Sequence, residues 1–228
     1  MIAPARRPAR RIGVYGGTFD PIHLGHLRAA EDARERLALD SVLFIPCGDP
    51  PHKVRRLAPA AHRLAMVRLA IAGNPRFRVS PLEVEREGRS YTVDTLRALR
   101  HRVPSQTRLT LLLGIDAFVE IGTWKDYRAL FALADIAVWS RPAYRARALR
   151  TLLPVAARSE FCYGPNRETL RHQTGNEIHF LTVTALDVSA SDIRLRLRRG
   201  ASIRYLVPAA VERYIARHGL YSGRRAAS

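Results

Sequence analysis

The stretch Ile12-Gly13-Val14-Tyr15-Gly16-Gly17-Thr18-Phe19-Asp20-Pro21-Ile22-His23-Leu24-Gly25-His26 decides the fold. Its first four residues read as a short buried strand, which Gly16 and Gly17 break. From Leu24 to Leu39, apolar Leu24, Leu27, Ala30 and Leu37 recur at helical spacing. A strand, a glycine turn and a helix in succession form a place for phosphate. The glycines lack the Cβ atoms that would obstruct a close backbone approach. The helix turns its unpaired N–H groups and its positive dipole end toward the same space. His23 and His26 are three residues apart and so share one face of the first helical turn. Gly25 between them lets a ligand lie close. Near the ordinary imidazole pKa of about 6.5, the pair can donate hydrogen bonds or carry charge. A lone histidine is more often a packed or capping residue, but the paired spacing and the glycines pull against that. The same pair could begin a zinc site, yet no nearby carboxylate or cysteine completes a set, so no metal ligand is assigned. The segment is neither a P-loop nor a G-x-G-x-x-G fingerprint.

Outward from this turn, strand-like and helix-like segments alternate. Ser41-Val42-Leu43-Phe44-Ile45 is a second strand, stopped by Pro46, and Pro50-Pro51 marks a loop. Pro59 to Ala72 is helical, with Leu64, Val67 and Ile71 at helix spacing. Extended pieces at 76–79 and 82–86 precede a helix at 91–101. Leu109 to Gly114 is a central buried strand, Ile136 to Trp139 another, and Ile178 to Leu181 a late one. Helices at 190–198 and 208–217 follow. Strands separated by helices predict an α/β fold, a doubly wound and mostly parallel sheet with helices on both faces. Such a sheet binds nucleotides at the carboxyl ends of its strands. Residues 1–11 and 222–228 read as tails around a single domain over 12–221.

The chain has 228 residues, and its formal net charge of +18 attracts phosphate-rich partners or only marks a solvated basic surface. Lysine occurs only at Lys53 and Lys125, so arginine carries nearly all of the basic charge. Two cysteines, Cys47 and Cys162, give no disulfide framework or zinc spacing and suit a reducing, cytoplasmic setting. No apolar run approaches the ~20 residues of a membrane span, so no membrane partner is expected. No zinc finger, RNP-type aromatic motif or recognition helix supports a nucleic-acid partner.

The turn motif resembles the G-T/S-F-D-P-x-H-x-G-H signature of the nucleotidyltransferases, and the chain as a whole resembles their bacterial nicotinate-nucleotide adenylyltransferase family. The likeness runs from about Ile12 to Tyr221. Pro50-Pro51-His52-Lys53 is similar to the family's Pro-Pro-His-Lys loop. Ser90-Tyr91-Thr92 and Gly114-Ile115-Asp116, followed by Trp124-Lys125, stand in the family's order. Val188-Ser189-Ala190-Ser191-Asp192-Ile193-Arg194 resembles its second signature, with Val188 for the usual isoleucine and Ser191 for the usual threonine. The serine keeps the hydroxyl.

The resemblance implies adenylyl transfer from ATP to nicotinate mononucleotide, with pyrophosphate released and Mg2+ carried mainly on the ATP phosphates. It implies His23, His26 and Arg194 as catalytic residues. Gly16, Gly17, Thr18 and Phe19 would hold the reacting phosphates. Ser189, Ser191 and Arg194 would meet the outer phosphates, although Ser189 with Asp192 also reads as a capping box. Gly114 and Asp116 would lie near adenosine, Asp116 alternatively capping a helix. Trp124 either stacks on the pyridine ring or is a core residue. Ser90, Tyr91 and Thr92 would receive the acceptor carboxylate, and Lys53, Lys125 and Arg141 are acceptor-side candidates, with His52 a weaker one. Adenylyl or cytidylyl transfer to a phosphopantetheine-type acceptor is the alternative within the superfamily, and a basic nucleic-acid-binding module is the alternative outside it. Oligomeric state stays open, a homo-oligomer included.

Overall fold

Strand β4 (Arg108–Gly114) shows how this sheet is built. It is buried from Leu109 through Leu113, and alternate residues of a strand leave it on opposite faces. Leu109, Leu111 and Leu113 enter one apolar core, whereas Leu112 enters another. Strands β1 (Arg11–Gly17) and β5 (Asp135–Ser140) repeat the division. Val14, Ile136 and Val138 join the first core, and Tyr15 and Ala137 join the second. Burial on both faces is the condition of a parallel sheet covered by helices. The computed structural model describes residues 10–50, 57–140, 149–165 and 168–222. His52, Lys53 and Arg141, most of the expected N-terminal tail, and residues 223–228 lie outside the described residues.

The eight described strands form one sheet in the order β3-β2-β1-β4-β5-β8-β7-β6. Here β2 is Ser41–Pro46, β3 Phe77–Val79, β6 Phe161–Tyr163, β7 Thr169–His172 and β8 Glu177–Thr182. Pairing is parallel from β3 through β8 and antiparallel at β8–β7 and β7–β6. The chain runs outward from β1 to β2 and β3, then returns to β4 on the other side of β1. The order therefore reverses between β1 and β4, where sheets of this kind open a ligand crevice. The helices are α1 (Leu24–Arg36), α2 (Ala60–Ile71), α3 (Thr92–Arg102), α4 (Ile115–Val119), α5 (Tyr127–Leu133), α6 (Ala190–Arg198) and α7 (Ala209–Arg217).

The α/β expectation holds, with local corrections. Gly16 and Gly17 do not break β1. The strand continues through both, paired with Ile45 and Pro46, so the turn begins at Thr18. Residues 82–86 alternate apolar and charged side chains as a strand would, yet they form turns. Pro81 starts that turn, its carbonyl accepting from the Glu85 N–H at 2.9 Å. Glu83 then points inward rather than to solvent. The β6–β7 extension has strands of three and four residues, too short for hydrophobic periodicity to mark.

Candidate active site

Two cavities of about 340 Å³ each open at the carboxyl ends of β1 and β4. The alternation that divides the cores also divides them. Tyr15, Leu112 and Trp139 line the first, while Val14, Ile45 and Leu111 line the second. Gly16, Gly17, Leu113 and Ala117 belong to both walls. The glycine pair thus stands at the junction of two chambers on opposite faces of the sheet.

In the first cavity the turn after β1 sets the geometry. Phe19 takes a left-handed backbone, with φ of 48°, which sends its ring inward. There it packs 5.4 Å from the Tyr15 ring and 5.2 Å from the His26 ring. A Cβ on Gly17 would lie 2.9 Å from the Phe19 ring, so any side chain there would force that buried ring to shift. A Cβ on Gly16 would meet nothing within 4 Å, which leaves that wall open. Gly25 has a reason besides ligand approach: a Cβ there would sit 3.1 Å from the His23 ring.

His23 caps α1 and is buried. Its ring stacks on that of His26, with centroids 3.6 Å apart and planes 28° from parallel. The His23 backbone N–H donates to His26 Nδ1 at 3.2 Å. His26 in its neutral form therefore carries its proton on Nε2 and presents a donor there. His23 Nδ1 is buried without a hydrogen-bond partner. Burial lowers the His23 pKa to about 4. This corrects the expectation of an ordinary imidazole: burial keeps His23 neutral at physiological pH, and a neutral ring carries one N–H donor. The far wall is the segment Val183 to Val188. Asp32 on α1 ties it down, its Oδ2 accepting from the Thr184 N–H at 2.6 Å.

In the second cavity the polar groups are side chains. Ser90, Tyr91 and Thr92 open α3 on this wall, with Trp124 and Lys125 also lining it. Ser90 is buried, and its Oγ accepts from the Gly48 N–H at 3.2 Å. Lys125 Nζ lies 4.7 Å from the centre of the Tyr91 ring and 2.9 Å from Asp94 Oδ2. Trp124 is half-buried and packs against the first core, so it is at once a core residue and a cavity wall. Cys47, Glu83, Thr95 and Glu120 also line it. Glu83 is buried and accepts from Thr95 Oγ1 at 2.7 Å, and burial raises its pKa. Burial, with Glu83 nearby, pushes the Cys47 thiol up to about 11.

The sequence-derived candidates separate into groups. Gly16, Gly17, Phe19, His23, His26 and Gly114 line the first cavity. Thr18, Ser90, Tyr91, Thr92, Trp124 and Lys125 line the second. Asp116 is exposed in the first turn of α4 and lines neither. Ser189 caps α6, its side chain accepting from the Asp192 N–H at 3.1 Å. Arg194 is buried behind the turn, where Nη2 donates to Ser191 Oγ at 2.9 Å and Nη1 donates to the Asp20 carbonyl. Val188, one residue before Ser189, does line the first cavity. Sequence reading missed Glu83, Thr95, Cys47, Asp32 and Arg63. A signal existed for Arg63, an arginine four residues before Val67 on an apolar helical face. Among the described residues, no group of three or more His, Cys, Asp or Glu side chains is gathered to hold a metal. No described helix is long and apolar enough to cross a membrane.

Twin chambers meeting at a glycine turn on a parallel α/β sheet define a nucleotidyltransferase-type site, and the chain matches the cytidylyltransferase-like family over residues 14–196. It is 46% identical to a probable nicotinate-nucleotide adenylyltransferase of Geobacter sulfurreducens over 93% of this chain and 98% of that one. A probable nicotinate-nucleotide adenylyltransferase of Citrifermentans bemidjiense is 48% identical over 92% of this chain and 98% of its own length. The fold matches the Plasmodium falciparum nicotinic acid mononucleotide adenylyltransferase complexed with NaAD, with a TM-score of 0.71 at 18% identity, covering 93% of this chain and 97% of that one. This chain belongs to the nicotinate-nucleotide adenylyltransferase family.

Proposed function

We propose that this chain transfers the adenylyl group of ATP to nicotinate mononucleotide, forming nicotinate adenine dinucleotide and pyrophosphate in NAD biosynthesis. One observation carries the reading: two chambers share Gly16 and Gly17 as a common wall, so two phosphate-bearing ligands can meet there. The acceptor's phosphate oxygen attacks the α-phosphorus of ATP. A P–O bond forms, the α–β bridging P–O bond breaks, and its electron pair leaves on pyrophosphate. The acceptor phosphate is already an anion near neutral pH, so no protein nucleophile or general base is needed. The protein's part is alignment and charge stabilisation.

We assign ATP to the first chamber, with its phosphates on the Gly16–Phe19 backbone and under His23 and His26. The Nε2–H of His26 supplies one hydrogen bond. His23 begins neutral, and a phosphate beside it would raise its pKa toward the protonated form, whose positive charge would offset the negative charge that develops on the leaving pyrophosphate. Gly114 faces adenosine, and Asp116 reaches a ribose hydroxyl from the edge. Ser189, Ser191 and Arg194 approach the outer phosphates from the start of α6. The acceptor occupies the second chamber: Trp124 stacks on the pyridine ring, and the N–H groups of Tyr91 and Thr92 at the start of α3 receive the carboxylate beside the Ser90 side chain, whose own N–H is held by the Asp49 carbonyl at 2.9 Å. Lys125 adds positive charge, and Lys53 and Arg141 remain acceptor-phosphate candidates. Among the described residues no carboxylate cage is gathered, and Mg2+ is proposed to enter on the ATP phosphates and water, with no protein ligand assigned. We assign the activity to residues 12–221 and to the cytoplasm.

The test is pyrophosphate release from ATP with a panel of mononucleotide and phosphopantetheine acceptors. Nicotinate mononucleotide should give the highest kcat/KM, and a higher value with another acceptor would overturn the reading.

A further inference from the structure

Arg63 is among the largest fully buried side chains of the protein, at 1% exposure, and none of the steps above uses it. It lies on α2 beside the apolar Leu64 and Val67, where an unpaired guanidinium would be strongly destabilising. Its hydrogen bonds go to three main-chain carbonyls. Nη1 donates to the Thr18 carbonyl at 2.8 Å, Nη2 to Gly48 at 2.9 Å and Nε to Ala58 at 3.0 Å. One rigid, planar group thus joins the phosphate turn to two positions ten residues apart in the segment after β2.

Neighbouring contacts lock two of these points, Gly48 and Ala58. Gly48 donates its N–H to Ser90 Oγ at 3.2 Å. A Cβ on Gly48 would lie 2.2 Å from the Glu83 carbonyl oxygen, so that backbone has no slack. Ala58 donates its N–H to Asp20 Oδ1 at 3.1 Å, and the Tyr221 hydroxyl donates to the same oxygen at 2.8 Å. Ser90 and Thr18 both line the second cavity, whereas Gly17, next to Thr18, lines both. The guanidinium therefore sets the position of the shared wall relative to the acceptor chamber.

We propose that Arg63 is a positioning residue for the transfer step, a buried clasp that fixes the Thr18 turn against the Gly48 and Ala58 stems so that acceptor and α-phosphorus meet in line. It touches neither substrate and acts through main chain. This rests on the assignment of the Gly16–Phe19 turn to the reacting phosphates. Lysine keeps the charge but has no planar fork to span three carbonyls. Misplacing reacting groups by about 1 Å costs roughly a hundredfold in rate.

The experiment uses the full chain as Arg63→Lys and Arg63→Ala, with His23→Ala alongside. The expected result for folded Arg63→Lys is a kcat lowered about a hundredfold, with both KM values within about threefold of wild type. Added methylguanidinium should restore part of the lost kcat of Arg63→Ala and leave Arg63→Lys unchanged. The proposal is overturned if Arg63→Lys keeps kcat within threefold of wild type, or if both KM values rise as steeply as kcat falls. It is equally overturned if both variants are unfolded by circular dichroism at the assay temperature, since Arg63 would then belong to the fold and not to the site. The His23→Ala arm separates the two readings. If it retains turnover, the phosphate assignment fails. If it loses turnover while Arg63→Lys does not, only the clasp fails.

Discussion

The two chambers at the carboxyl edge of the sheet are equal in volume but made of different material. The first is walled by glycine backbone, two imidazoles and the segment Val183 to Val188. The second is walled largely by side chains held in place by one another or by main chain: Glu83 by Thr95, Lys125 over Tyr91, and Ser90 Oγ by the Gly48 N–H. The difference matches their proposed occupants. A polyphosphate presents many equivalent oxygens, and main-chain N–H groups with two rings suffice to hold it. A pyridine carboxylate is a small, specific shape that needs a stacking face and a few placed donors. Rate should therefore live in the first chamber and acceptor choice in the second.

The sharpest way to break that division is His23→Ala. Loss of a group that stabilises transition-state charge costs about 100- to 1,000-fold in kcat, and both KM values should move little. Steady-state kinetics on the folded variant decide it, and a near-normal kcat would remove His23 from the mechanism.

The same residue makes the first chamber pH-sensitive in the free protein. His23 titrates at 6.5 when unfolded and at about 4 when folded. As pH falls from 6.5 toward 4, the unfolded chain takes up the proton first, so stability is withdrawn. The contribution is fully present above 6.5 and amounts to roughly 3 kcal/mol, at about 1.4 kcal/mol per unit. Urea unfolding of wild type and His23→Ala across this range should show the wild type losing stability faster on acidification. Parallel curves would contradict a buried neutral imidazole.

The second chamber is tested by Trp124→Ala. Ring stacking is worth ~1–3 kcal/mol, so KM for nicotinate mononucleotide should rise about tenfold while KM for ATP stays within a factor of two. Equal rises would place Trp124 in the core only.

This contrast also explains what could be read from sequence. The phosphate turn of the first chamber is contiguous in the chain, with Gly16, Gly17, Gly25 and the paired histidines within residues 16–26, although Gly114, Trp139 and the Val183–Val188 segment reach the same cavity from elsewhere. Phosphate chemistry leaves a compact trace of that kind. The central strands were equally legible, because burial on both faces demands unbroken apolar runs. Glu83 and Thr95 escaped notice because each looks like an ordinary surface residue until the turn at Pro81 rotates Glu83 inward. What Arg63 and Asp32 hold could not be read, because the groups that give them their place are main-chain ones, Thr18, Gly48 and Ala58 for Arg63 and the Thr184 N–H for Asp32, and a carbonyl or an amide leaves no letter in the sequence; the Arg28–Asp32 pair one turn apart on α1 reads as an ordinary helix-surface ion pair. The depressed pKa of His23 likewise comes from burial, which spacing alone does not report.

The smallest predicted effect probes that last kind of link. Asp32 sits on the buried side of α1, and its hold on the Thr184 N–H positions the wall opposite the imidazoles. Burial alone would raise its pKa. The hydrogen bonds from Thr184 and Arg28 outweigh that and keep the carboxyl below its ordinary range, so it is a charged acceptor at neutral pH. Asp32→Asn keeps the shape and one acceptor oxygen but gives up the charge that both donors use. A neutral acceptor is weaker than an ionised one by about 1 kcal/mol, so the Val183–Val188 segment should loosen without unfolding. KM for ATP should rise about threefold to fivefold, with kcat at saturation and KM for the acceptor unchanged. An effect on the acceptor instead would mean that the two chambers are coupled through the sheet, and that their separation by strand face does not extend to function.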